Sequence, residues 1–159
     1  MKKEIDKTLA MKILDKNKIE YKVHEYSLND GIDAKSVSIK LNEDLNKVYK
    51  TLVTRGKSNK YYVFLVEADR SLDLKKAAKV THEKYIEMIH QAELLPLTGY
   101  VHGGCSPIGM KKLFPTFINI DAKALDTIFV SGGKIGLQIE LNPLSLANLI
   151  NAHFEDVSI

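Results

Sequence analysis

The chain carries a single cysteine, Cys105, in 159 residues. One thiol cannot form an internal disulfide, and the cytoplasm is the expected setting for such a chain. No apolar run approaches the ~20 residues that a membrane-crossing helix needs, so no membrane association is expected. The N-terminal MKKEIDKTLAMKILDKN starts with lysines but has no uninterrupted apolar stretch. It reads as an amphipathic helix and not as an export signal. Metal-ligand spacing is missing as well. Cys105 and His24, His82, His90, His102 and His153 are scattered, so no metal site is expected, and no cofactor of another kind is called for. There is no G-x-x-x-x-G-K-[ST] and no strand–GxGxxG–helix unit, which excludes the common nucleotide fingerprints. No chain order argues for a Ser-His-Asp arrangement and no carboxylate pair stands out, so the nucleophile-and-base signature is absent. Charge is weak too: a formal +3 permits a phosphate-bearing partner without demanding one.

What is present is an ordinary globular composition, 45% hydrophobic and 27% charged, of a length that suits one domain over residues 1–159. Leu9, Ile13 and Leu14 recur at helical spacing within Asp6 to Lys16. IEYKVHEY, Ile19 to Tyr26, alternates as a half-buried strand whose last residue, Tyr26, leaves the apolar face and can look into a cleft. A short helix over Asp33 to Lys40 is expected, with Asp33 as N-cap. KVYKTLVT, Lys47 to Thr54, and the continuous apolar run YYVFLVEA, Tyr61 to Ala68, form a hairpin around the basic turn RGKSNK; the second strand reads as central. A helix over Leu72 to Val80 capped by Ser71 follows, then helical or irregular structure over Glu83 to Ile89 and a helical turn from His90 that ends at Pro96. Strands are expected at Thr116 to Ile120, Thr127 to Ser131 and Leu137 to Leu141. Asn142 and Pro143 start a last helix, and an edge strand or tail closes the chain. No repeat or linker interrupts this pattern. The expectation is an α+β domain around a curled, mixed, barrel-like sheet surrounded by helices.

Three features carry chemistry. The first is TGYVHGGCSPIGMKK, Thr98 to Lys112, with Gly99, Gly103, Gly104, Gly109, Cys105 and Pro107. Glycine lets backbone approach a ligand closely, and exposed N–H groups in such a loop suit an anion or a polarised carbonyl. The second, SGGKIG at Ser131 to Gly136, repeats that logic at a strand end. The third is Lys50, a lysine among apolar neighbours in a well-packed strand; it reads either as a snorkelling edge residue or as an ammonium held at a cleft floor. Together with the hydroxyls of Thr51, Ser106 and Ser131, these are donors. They suit polarising an ester carbonyl, with the nucleophile supplied by substrate or water.

VYKTLV at Val48 to Val53, LDLKKAAK at Leu72 to Lys79, TGYVHGGCSPIGMKK and FVSGGKIGLQIEL at Phe129 to Leu141 resemble the YbaK-type aminoacyl-tRNA deacylases. These are free-standing relatives of the editing domain inserted in bacterial prolyl-tRNA synthetases. The resemblance covers essentially the whole chain and implies the YbaK editing-domain fold. It implies hydrolytic clearance of mischarged tRNA, typically cysteine on the proline tRNA, with aminoacyl-tRNA and prolyl-tRNA synthetase as partners. It also implies that Lys50 is the central site residue, that Gly103 and its neighbours supply backbone donors in a substrate-binding loop of Gly104 and Ser106 closed by Pro107, and that Tyr26, Thr51 and Ser131 line the substrate pocket. In the cysteine-specific members the substrate's own thiol attacks its ester, which fits the missing base. Gln138 stands where an aspartate is common and Cys105 where an aliphatic residue is common, and the segment after Tyr26 is short and lacks an aromatic residue. These departures leave a deacylase for alanine or serine as an alternative, with a non-catalytic tRNA- or synthetase-binding module as a further one. Cys105 reads as a small packed hydrophobe rather than a nucleophile.

Overall fold

The computed structural model describes residues 6–29 and 31–159. Residues 1–5 and Asp30, and with them the start of the amphipathic N-terminal stretch and part of the turn after Tyr26, lie outside the described residues.

The elements follow in chain order α1 (Leu9–Lys16), β1 (Tyr21–Glu25), α2 (Ala34–Leu41), β2 (Tyr49–Gly56), β3 (Tyr61–Glu67), α3 (Leu74–Thr81) and β4 (Ile86–Met88). Then come α4 (Gln91–Thr98), β5 (Thr116–Asn119), a 3-10 turn (Ile120–Ala124), β6 (Ile128–Ser131), β7 (Leu137–Leu141), α5 (Pro143–Ile150) and β8 (His153–Glu155). The strands form two sheets, β1-β7-β6 and β4-β2-β3-β5-β8. The first is antiparallel; the second is mixed, with β5 parallel to β3 and β8 parallel to β5. A parallel bridge between Val48 and Phe129 joins the two sheets at the start of β2. The result is the expected α+β architecture, a curled mixed sheet with helices around it that does not close into a barrel.

Two cores use the two faces of the five-stranded sheet, because strand side chains alternate. Val53, Val63 and Leu65 point toward α1, α4, α5 and the three-stranded sheet. Tyr62, Phe64 and Val66 point toward α3 and Phe117. β3 is therefore buried on both faces, as its continuous apolar run predicts.

Three local expectations are corrected. Asp73, not Ser71, caps α3, accepting from the Lys75 and Lys76 amides. Ser71 and Asp73 instead donate their backbone N–H groups to Ile159 and Val157, so this stretch stays extended and clips the C-terminal segment in place. Glu83 to Ile89 contains β4, whose three residues pair with Thr54, Arg55 and Gly56. A strand so short shows no period, so only the pairing reveals it. α4 does not end at Pro96 but runs through it to Thr98. The Thr98 hydroxyl donates to the Leu94 carbonyl and the Gly99 amide to the Leu95 carbonyl, each at 2.8 Å, and these bonds complete the last turn beyond the proline.

Candidate active site

The outer edge of β2 is covered twice and left open between. At its far end β4 pairs with Thr54–Gly56. At its near end Val48 bridges to Phe129, whose amide donates to the Lys47 carbonyl at 2.8 Å. Between these two contacts the sheet parts into a cleft of about 360 Å³. Its floor is Tyr49 to Val53, its walls are the N-terminal end of α2, the Met88–Leu94 stretch, the His102–Cys105 loop, and the Ser131–Gln138 pair. The site is thus a gap where one strand loses its neighbour.

Lys50 stands on that floor. Its Nζ donates to the Arg70 carbonyl at 2.6 Å, leaving two N–H donors of the ammonium uncommitted to that bond. Burial pulls the Lys50 pKa below its ordinary value, while the carboxylates of Asp69, Glu67 and Asp33 act in the opposite direction. Arg70 is held in turn: its guanidinium donates to Glu67 at 3.2 Å and to Asp121 at 2.9 Å. The carbonyl that holds Lys50 therefore belongs to a braced turn.

Of the residues singled out from sequence, Lys50, Thr51, Gly103 and Ser131 line the cleft together. Gly103 has φ +85°, a left-handed backbone that only glycine adopts without strain, and a Cβ there would meet Ile32 Cδ1 at 2.7 Å. Gly104 lies behind the wall, where an added Cβ would reach the Ile135 amide at 3.0 Å; the two glycine loops pack backbone to backbone. Ser106 is fully buried, and its Oγ accepts from the Ile108 amide at 3.2 Å to shape the loop. Pro107 lines a separate hollow with Ile13 and Phe114. Tyr26 is buried beside the second glycine loop, its amide donating to the Gly136 carbonyl at 3.0 Å, and it is not among the cleft-lining residues.

The cleft also contains residues that sequence pattern did not assign to it: Asp33, His102, Gln91 and Gln138. Gln138 lies opposite Ser131 in the β6–β7 register, so the hairpin alone places the two side by side. Asp33 is the α2 N-cap and accepts from the Ser36 amide at 2.9 Å, which holds its carboxyl below the usual range. Three buried polar atoms on the lining residues, the Thr51 Oγ1, the Gln138 Oε1 and the Tyr49 hydroxyl, have no hydrogen-bond partner among the described residues. Burial pushes the Cys105 thiol up to about 12, so at neutral pH it is a thiol and not a thiolate nucleophile. The arrangement offers an ammonium, two hydroxyls and glycine-rich backbone around one small space, with acceptors at Asp33 and Gln138. It can hold and polarise a compact ester bearing an amino group.

Residues 30–149 match the model of the aminoacyl-tRNA editing domain. EbsC of Enterococcus faecalis (strain ATCC 700802 / V583), described as a candidate Cys-tRNA(Pro)/Cys-tRNA(Cys) deacylase, is 41% identical over 158 residues, covering 99% of this chain and 96% of EbsC. A solved structure described as a candidate trans-editing enzyme for prolyl tRNA synthetase is similar with a TM-score of 0.79 at 25% identity over 87% of each chain. The structure of the protein APE2540 is similar with a TM-score of 0.85 at 16% identity, over 93% of this chain and 97% of that one, and bears on the fold alone. With the family match spanning most of its length and a relative this similar along nearly all of it, the chain belongs to the aminoacyl-tRNA editing domain family.

Proposed function

We propose that the chain is a free-standing trans-editing deacylase that hydrolyses the ester of mischarged aminoacyl-tRNA, with Cys-tRNA(Pro) as first substrate and Cys-tRNA(Cys) as second. The observation that carries this reading is Lys50: a half-buried ammonium anchored at 2.6 Å on a backbone carbonyl, facing a cleft sized for an amino acid. Lys50 binds the aminoacyl or terminal adenosine end. Gly103 presents backbone close to the ester, and Thr51 and Ser131 face the amino acid. The cysteine thiol then attacks its own ester carbon. A carbon–sulfur bond forms, the carbon–oxygen bond breaks, the thiol proton passes to the departing ribose oxygen, and water opens the resulting thiolactone. The enzyme contributes placement and charge stabilisation rather than a nucleophile. Support for the substrate comes from the description of EbsC, and support for prolyl-tRNA synthetase as the partner that hands over the tRNA comes from that of the trans-editing structure. The cytoplasm, where both would be met, is the proposed location; no helix of the described residues is long and apolar enough to cross a membrane.

A second reading has its own observation. His102 lines the cleft next to Gly103 and can activate water, which would serve a substrate without a thiol, such as alanine or serine. A panel of mischarged tRNAs, run with and without the synthetase and beside Lys50→Ala, separates the readings. Release of cysteine and not of alanine or serine is the expected result. Equal turnover of Ala-tRNA favours the His102 route, tRNA binding without any release favours a non-catalytic module, and full activity in a folded Lys50→Ala variant sinks the assignment of Lys50.

A further inference from the structure

β4 leads out of the cleft to a corner of the molecule that the chemistry above does not use. Its register with β2 runs from Thr54–Met88 through Arg55–Glu87 to Gly56–Ile86. Met88 and Ile89 are cleft wall, whereas Tyr85 precedes the strand at its other end. Met88 lies three residue steps from Tyr85, roughly 10 Å at the usual strand rise. Beyond Tyr85 three segments converge. The amide of Lys57 donates to the Tyr85 carbonyl at 3.2 Å, which fixes the β2–β3 turn against it. Glu83 inserts its carboxylate into that same turn, accepting from the Ser58 amide at 3.1 Å and the Tyr62 hydroxyl at 2.7 Å. The C-terminal end of α3, which carries Lys79, joins this stretch through the Glu83 amide, which donates to the Ala78 carbonyl at 3.0 Å.

The charge of this corner is one-sided. Lys57, Lys60, Lys79 and Lys84 are all exposed, and none of them forms a salt bridge among the described residues. Its one acid, Glu83, is occupied by the turn, and the neighbouring Glu87 is paired with Arg55 at 3.5 Å. Tyr85, next to Lys84 in the chain and bonded through its carbonyl to the Lys57 amide, is 50% exposed. Unpaired lysines beside an exposed aromatic ring suit a phosphate backbone with a base to stack, and the deacylase reading supplies a ligand with both.

We propose that the corner formed by Lys57, Lys60, Lys79 and Lys84 around Tyr85 is the surface on which the acceptor end of tRNA docks, with β4 guiding the terminal nucleotides into the cleft. This rests on the deacylase reading for its ligand. The lysines meet phosphates and Tyr85 stacks under an unpaired base. The corner supplies affinity that is independent of the amino acid, while the cleft reads the amino acid.

The test compares two variants of equal charge change: Lys57→Glu/Lys60→Glu/Lys84→Glu at the corner and Lys12→Glu/Lys16→Glu/Lys22→Glu on exposed positions of α1 and β1. Binding of fluorescently labelled uncharged tRNA is followed by anisotropy across a salt series, with melting curves to verify folding. The corner variant is expected to bind at least about tenfold more weakly, and its salt slope to be shallower by roughly 1 for each phosphate that is no longer neutralised. The remote variant is expected to change less than a third as much. Tyr85→Ala is expected to weaken binding several-fold without altering the salt slope. Equal weakening in the two triple variants, or no weakening in the corner variant, overturns the proposal. Hydrolysis of a cysteinyl adenosine ester provides the second arm. Unchanged cleavage of that small ester by the corner variant is expected, and a loss there means that the substitutions damaged the cleft, which also overturns it. If the unaltered protein cleaves neither the ester nor any charged tRNA, the deacylase reading fails, while the binding series still decides the docking surface.

Discussion

Two groups of buried polar atoms lie on either side of Lys50, and they differ in one respect. In the first, Glu67 is only 2% exposed, yet both carboxylate oxygens are taken: Asn119 Nδ2 donates to one at 2.9 Å and Arg70 Nη1 to the other at 3.2 Å. Asn119 completes the set by accepting from the Val157 amide at 3.2 Å. In the second group, the Thr51 Oγ1 and Gln138 Oε1 are equally hidden and have no partner among the described residues. Leaving a buried polar atom unpaired costs free energy, so a satisfied group reads as part of the scaffold and an unsatisfied one as a place kept for something else to bind. Lys50 belongs to both. Its ammonium is anchored on the turn that the first group braces, and it opens into the cleft that the second group lines.

The comparison breaks most visibly at Glu67. Glu67→Ala leaves the buried Asn119 amide without its acceptor and takes one of two carboxylates from Arg70, so a loss of about 1–3 kcal/mol in unfolding free energy is expected. Denaturant unfolding measures it. A loss under about 1 kcal/mol would show that the first group is not structural. Lys50→Ala should do the reverse. The expected fall in kcat/KM is about a hundredfold to a thousandfold, the scale of losing one charge-stabilising donor. Stability is not expected to fall, because burial already disfavours the ammonium. The sign follows from the depressed pKa: below it the folded state carries the penalty, and stability gains from Lys50 as pH rises toward 10.5, a gain that the variant lacks. If the ammonium is the active form, the alkaline limb of activity lies below pH 10.5. A limb at or above that value contradicts the desolvated site.

Gln138→Leu sharpens the second half of the comparison. It removes an acceptor that has no partner in the fold, so melting should be unchanged or slightly raised. The KM for aminoacyl-tRNA is expected to rise about tenfold, the cost of one lost hydrogen bond to a charged group. A variant that melts lower with an unchanged KM would place Gln138 with the scaffold instead.

Much of this was legible from the residues. Alternation and apolar runs place β3 and β7 to within one residue and β1 and β2 to within two, and Asn142-Pro143 marks the start of α5. Lys50 stood out because a lysine in a packed strand needs a reason. The rest depended on pairing across long separations. β4 has three residues and no pattern, so the wall containing Met88 appears only when it pairs with Thr54. The glycine loop looked uniform, but of its glycines Gly103 lines the cleft, whereas Gly104 meets the second loop and Pro107 turns away into another hollow. Glu67 sits at the end of an apolar strand, and nothing local tells that Asn119 and Arg70 will meet it.

The smallest expected effect concerns the residue that the sequence makes most conspicuous. Cys105 lines the same cleft as Lys50, and burial moves both groups toward their neutral forms. For a lysine that depresses the pKa; for a thiol it raises it, here to about 12. A nucleophile needs the thiolate, so Cys105 at neutral pH is chemically quiet and acts as packing. Cys105→Ala should therefore keep activity within about threefold and lose about 1 kcal/mol of stability, the order of a small cavity. Alkylation offers an independent readout. In the folded protein at pH near 8, iodoacetamide should label Cys105 far more slowly than in denaturant, where the thiol returns to its ordinary value of about 8.5. Rapid labelling of the folded protein together with loss of deacylation would instead make Cys105 a reactive group, and the substrate's own thiol would no longer be needed.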